Sequence, residues 1–137
     1  MMINDDAGRQ RLLSAARVIA VVGISPKSER PSHYCAKYLL DHGYTIIPVN
    51  PGQKEVLGLT CYPDLLSIPV KVDMVNVFRN AEDVPPIAED AVRIGARYLW
   101  LQLGIINDEA AQQASAAGLD VVQDRCVKME HMRLMAR

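Results

Sequence analysis

The chain has 137 residues, of which 50% are hydrophobic, 23% charged and 5% aromatic. Taking about 150 residues per domain, this length suits one domain that buries roughly two thirds of its unfolded surface without staples. Fifteen basic and sixteen acidic side chains leave a formal net charge of -1, so no general field draws a nucleic-acid backbone or an anionic membrane. No apolar run approaches the ~20 residues of a membrane span, and residues 1–17 are polar with no signal-peptide core. A two-domain enzyme, a membrane protein and a general nucleic-acid binder are not expected. Cys35, Cys61 and Cys126 are an odd, widely spaced set without C-x-x-C, which argues against a disulfide framework or zinc knuckle. They read as small apolar fillers in a cytoplasmic protein.

In chain order, residues 6–16 read as a helix before the first strand. Val18-Ile19-Ala20-Val21-Val22 is a continuous apolar run ended by Gly23. Cys35, Ala36, Leu39 and Leu40 then make one helical stripe before a Gly43 stop. The second β-rich run, 44–49, ends at Asn50-Pro51-Gly52, and residues 63–68 suit a short helix. The third run is 72–78. Ile87, Ala88, Ala91 and Val92 repeat the helical spacing, with Pro85 and Pro86 tolerated in the first turn. Run four is 98–103. Ala110, Ala111, Ala114 and Ala117 form another stripe, with Asn107 as N-cap and Asp108 and Glu109 at the positive end of the dipole. Run five is 119–122, and a last helix covers 127–135.

Short, unalternated apolar runs suit strands buried on both faces of a parallel sheet. Repeated β-α-β units need right-handed crossovers. The expectation is an α/β fold: a single Rossmann-like, doubly wound, five-stranded parallel sheet of order 3-2-1-4-5, with helices on both faces. Residues 1–137 form one domain, with 1–16 a helical extension and 124–137 a C-terminal helix.

Ligands of such sheets sit outside the carboxyl ends of the strands, where strand order reverses. That point is expected between strands one and four. After strand one, residues 23–32 combine Lys27, Arg30 and the hydroxyls of Ser25, Ser28 and Ser32 with a helix start, which is chemistry for phosphate or for a solvated loop. The dinucleotide fingerprint G-x-G-x-x-G keeps only its first glycine, as Gly23, and the Walker and G-x-S-x-G patterns are missing. After strand two, Asn50 stands where a dinucleotide site wants a carboxylate for the ribose, and Lys54 adds a cation. Both weaken a nicotinamide reading and favour a ligand with further phosphate. After strand three, Phe78 faces the opening, and Arg79 serves phosphate or pairs with Glu82. After strand four, Gln102 bonds a polar ligand group or caps the turn, and Gly104 lets a ligand approach the backbone.

The run 18–23 with Ser25, Pro48-Val49-Asn50-Pro51, Val77-Phe78-Arg79 with Glu82 and Pro85, residues 100–104 and Asp124-Arg125-Cys126 with His131 together resemble the stand-alone CoA-binding protein family (YccU-like). That family is related to the CoA-binding Rossmann-like domain of the succinyl-CoA synthetase α-subunit. The resemblance covers residues 10–137. It implies coenzyme A, or acyl-CoA, as the small-molecule ligand, with Gly23, Ile24, Ser25, Lys27, Arg30, Pro31 and Ser32 along the phosphates. Pro48, Val49, Asn50 and Lys54 would flank the adenosine and its 3′-phosphate. Val77, Phe78 and Arg79 would line a third side, and Gln102, Leu103 and Gly104 would lie towards the pantetheine.

The synthetase subunit continues into a second domain with a catalytic phosphohistidine, so its activity is not carried over to a chain of this length. Cys126 with Glu130 and His131 is the one constellation with reactive potential. On a helix, however, Cys126 and His131 do not share a face, and the spacing matches no common metal set. Cys126 is read as structural, with a mixed disulfide to the CoA thiol as the alternative. The expected function is CoA binding without catalysis. The alternatives are a small CoA- or NAD(P)-dependent enzyme and a regulatory interaction domain with a degenerate nucleotide site. No nucleic-acid or membrane partner is expected, and Arg133 with Arg137 is too little for a nucleic-acid arm.

Overall fold

The computed structural model describes residues 1–135, so Arg137 lies outside the described residues. Strands β1 (Val18–Val22), β2 (Thr45–Val49), β5 (Met74–Val77), β6 (Tyr98–Leu101) and β7 (Asp120–Val122) form one parallel sheet. Between β2 and β5, β3 (Glu55–Val56) and β4 (Leu59–Thr60) make a small antiparallel hairpin that hydrophobic periodicity did not signal. Helices α1 (Asp6–Ala15), α2 (Pro31–Asp41), α3 (Val84–Arg93), α4 (Asp108–Ala116) and α5 (Val127–Met135) cover the two faces.

Burial on both faces explains the continuous apolar runs. Ile19, Val21, Met74 and Trp100 pack with α1, α2 and α5, whereas Ala20, Val22, Val75 and Leu99 pack with α3 and α4. The local signals act as expected. Asn107 accepts the Ala110 amide at 3.0 Å, Pro31 opens α2, and Pro85 and Pro86 sit in the first turn of α3. The 63–68 segment shortens to a single 3-10 turn, Leu65–Ser67, with Asp64 as its cap. The C-terminal helix starts at Val127 rather than at residue 124, because Asp124 has a left-handed backbone (φ 61) that breaks helical continuity. The residues ahead of α1 are not a loose extension, since Met2 bridges Val121 in parallel and lies along the edge of β7.

The strand order is β2-β1-β5-β6-β7. Outside β2, Val49 also bridges Tyr62 in parallel. With Tyr62 in the third place, the order is consistent with the Rossmann-like 3-2-1-4-5 arrangement. The run 72–78, expected in that third place, instead takes the fourth and pairs with β1 from Ile19↔Met74 to Val22↔Val77. The outer edge of β2 is already used: Tyr62 donates its amide to Pro48 at 3.0 Å and its carbonyl accepts from Asn50 at 2.9 Å. The chain must therefore cross to the open edge of β1. The reversal point accordingly lies between β1 and β5, and not between β1 and the run 98–103.

That pairing presses two loops together. Gly23 has a left-handed backbone (φ 87), and a Cβ there would lie 2.6 Å from the Phe78 carbonyl oxygen and 2.7 Å from Arg79 Cδ. On the opposite side, α1 is tied to α5 by charge. Glu130 and Arg9 are both buried, with Arg9 Nε 3.1 Å from the Glu130 carboxylate. Arg133 joins Glu130 at 3.0 Å and Asp6 at 2.7 Å. Hydrogen bonds from Arg133 and then Arg9 hold the Asp6 carboxyl far below the usual carboxylate range.

Two stability predictions follow from these contacts. Gly23→Ala should cost about 2 kcal/mol or more from the left-handed backbone and the clash. The measurement is a lower urea midpoint at constant m, and an unchanged midpoint would mean the loops separate freely. Glu130→Ala removes one of the two carboxylates that pair with the buried Arg9, Asp6 remaining at 2.9 Å, and should cost about 1.5–3 kcal/mol, whereas a loss well under 1 kcal/mol would show that Asp6 alone satisfies Arg9.

Candidate functional site

The loops after β1, β5 and β6 enclose a cavity of about 430 Å³ at the carboxyl edge of the sheet. Its β1 side is a built turn. The Ser25 amide donates to Ser32 Oγ at 2.9 Å, the Lys27 amide donates to Ser25 Oγ at 3.1 Å, and His33 Nδ1 donates to the Ser25 carbonyl at 2.9 Å. His33 thus fastens the loop to the start of α2 rather than standing free. Arg30 immediately precedes α2 and lines the cavity. Across from it, Arg79 meets Asp83 at 3.5 Å, one position beyond the expected partner Glu82. Both arginines line this cavity, and among the described residues no carboxylate does.

A second cavity of about 270 Å³ adjoins the first and shares Gly23 and Arg79 with it. Here the walls are Val22, Val49, Pro51, Leu65 and Ile87, and Asp64, Asp83 and Asp90 give it the opposite charge. The sequence held no signal for this acidic side, because its three aspartates come from three separate elements.

The expected residues divide into two groups. The larger cavity brings together Gly23, Ser25, Arg30, Pro31, Ser32, Phe78, Arg79, Gln102, Leu103 and Gly104, and the smaller one adds Val49. Others are occupied elsewhere. Ile24 is buried, and its carbonyl accepts the Asn50 side-chain amide at 2.8 Å. Asn50 Oδ1 accepts the Gly52 amide at 2.8 Å, so this side chain joins the loops after β1 and β2. Pro48 and Val77 are buried within their strands. Lys27 is exposed on its loop, and Lys54 is exposed just ahead of the β3–β4 hairpin; neither lines a cavity. Of the four cations expected at one edge, Arg30 and Arg79 line the larger cavity, and Lys27 and Lys54 are exposed in their loops. Asn80, Ala81 and Ile105 complete the larger lining.

Below the cavity, Gln102 reaches back under the sheet edge. Its Oε1 accepts from Asn76 at 3.3 Å and from the Val127 amide at 3.3 Å, and its Nε2 lies 3.9 Å from Cys35 Sγ. Cys35 Sγ is in turn 3.9 Å from Cys126 Sγ. His131 takes no part in this cluster, because its Nδ1 bonds the Tyr38 hydroxyl at 2.7 Å. Burial, reinforced by His42, pushes the His131 imidazole down and keeps it neutral at pH 7. A Cys126–His131 couple is therefore replaced by a Cys126–Cys35 pair, whose members are 91 positions apart.

Comparison with known proteins accords with this architecture. The CoA binding domain family model matches residues 17–132. YneT of Bacillus subtilis (strain 168) is 40% identical over 122 residues, covering 89% of this chain and 90% of that protein. A hypothetical protein from Pyrococcus horikoshii OT3 has the same fold with a TM-score of 0.93 at 42% identity, covering 96% of this chain and 93% of that one. The ADP-forming acetate–CoA ligase I of Archaeoglobus fulgidus is 28% identical over 123 residues, which are 82% of this chain but 18% of the ligase. Among the described residues no helix is long and apolar enough to cross a membrane. From the match over residues 17–132, the chain belongs to the CoA binding domain family.

Proposed function

We propose that this protein binds coenzyme A, free or acylated, in the crevice over the carboxyl ends of β1, β5 and β6. The observation that carries the reading is the charge of the larger cavity: two arginines and no carboxylate among the described residues of its lining. A diphosphate placed between Arg30 and Arg79 gains charge-assisted hydrogen bonds from both sides. Ser25 and Ser32 add hydroxyls on the α2 side. Phe78 offers an apolar face, and the pantetheine arm runs over Gln102, Leu103 and Gly104. Gly104 has a left-handed backbone and open space where a Cβ would stand, so a ligand can pass close to the chain there. Asn50 holds two loops together and supplies no ribose-binding carboxylate, which argues against a nicotinamide dinucleotide. Family membership and the ligase likeness support the same ligand.

Titration calorimetry with CoA tests the reading. Each charge-assisted bond is worth about 1.5–3 kcal/mol, so Arg30→Ala and Arg79→Ala should each raise Kd roughly 10- to 100-fold. If millimolar CoA leaves the amide resonances of residues 23–32 and 102–104 unmoved in the parent protein, the proposal fails.

A further inference from the structure

The two thiols beside Gln102 are not equivalent. Cys35 lies on α2 and is fully buried, whereas Cys126 is half-buried at the residue preceding α5. The Cys126 thiol is held well below the ordinary thiol range by the hydrogen bond from Cys35, and then by backbone N–H groups of Met129 and Lys128 and by Gln102. The Cys35 thiol is raised, by its contact with Cys126 and then by burial. The geometry is thus a half-buried thiol just ahead of a helix start with a fully buried thiol 3.9 Å away. The loop that carries Cys126 is also anchored to the cavity rim. Asp124 accepts the Gly104 amide at 2.7 Å, and Trp100 Nε1 donates to the Arg125 carbonyl at 2.8 Å. Cys61, by contrast, sits near the Asn50 and Tyr62 carbonyls, and its thiol is raised by burial.

We propose that Cys126 and Cys35 are the attacking and resolving thiols of a redox pair that exchanges with small-molecule disulfides. The Cys126 thiolate attacks one sulfur of R–S–S–R, forming Cys126–S–S–R and releasing R–S⁻. Cys35 then loses its proton to solvent and attacks the Cys126 sulfur. A Cys35–Cys126 disulfide forms and the second R–S⁻ leaves. Starting from the Cys126 thiolate and the Cys35 thiol, the protein gives up two electrons and one proton, and the disulfide becomes two R–S⁻, which take their protons from solvent. Closing the pair requires the sulfurs to move from 3.9 Å to about 2.05 Å, a shift within reach of side-chain rotation and a small movement at the start of α5. The chemistry does not depend on CoA being the ligand of the cavity.

The test incubates the reduced, folded protein with CoA disulfide or with glutathione disulfide and follows intact mass and peptide maps. The parent chain should lose two hydrogens and yield a Cys35–Cys126 linked peptide with either reagent. Cys35→Ser should accumulate the mixed disulfide on Cys126, and Cys126→Ser should leave Cys35 unmodified over the same time. A parent protein that stays fully reduced with both reagents overturns the proposal. So does an adduct that forms first on Cys61, or on Cys35 in the Cys126→Ser variant. A rate with CoA disulfide tenfold or more above that with glutathione disulfide supports the pair and the CoA cavity together. Equal rates with the linked peptide formed uphold the pair while counting against CoA in the cavity.

Discussion

The close approach of the loops after β1 and β5 is the contact on which the carboxyl edge of this molecule depends. Parallel pairing of Val22 with Val77 delivers Gly23 directly against the Phe78 carbonyl, at a spacing that admits no Cβ. Because the backbones touch, Arg79 stands at the boundary of both cavities instead of on a distant loop. The Ser25 turn is then folded back onto α2 by Ser32 and His33, which sets Arg30 across the cavity from Arg79. A parallel sheet with both faces covered supplies the rigid floor, so the loops need only short hydrogen bonds to be held in register.

Charge is sorted on either side of that contact. The near-zero net charge of the chain is an average over a cationic cavity and an acidic one, with Arg79 shared between them. The Arg79–Asp83 pair is half-exposed and 3.5 Å long, a contact weak enough for an anion to displace. The acidic cavity does not suit a phosphate. In the proposed reading the phosphates lie on the α2 side, where the helix start and Arg30 are.

Under the same edge lies a polar cluster of another kind. Asn76 on β5 and Gln102 just after β6 face α2 and α5 together with Trp100, in an otherwise apolar layer. Asn76 Oδ1 is buried without a partner, a cost of about 1–3 kcal/mol that an all-apolar layer would avoid. Gln102 links the cavity lining above to the two thiols below. Through it, and through Asp124 on Gly104, the rim of the cavity and the start of α5 form one connected structure.

Much of the fold was legible because its causes are local. Apolar runs at 18–22, 44–49, 72–78, 98–103 and 119–122, helical stripes between them, and Asn107, Pro31 and Pro85-Pro86 at helix starts all act within one or two turns of chain. The same locality marked Arg30, Arg79, Phe78 and Gln102 as residues at strand ends. The β3–β4 hairpin was not legible, because its two-residue strands are too short to carry a period.

By itself, then, the sequence determined the five runs and the helices between them, the parallel α/β class and the loops that end at the carboxyl edge of the sheet. Only the tertiary structure decided which strand lies beside β1, that Arg79 pairs with Asp83, that the acidic cavity exists, and that Cys126 meets Cys35. The reason is range. Periodicity and capping act between neighbours in the chain, whereas these contacts join residues whose separation carries no local trace and which meet only when the sheet is complete.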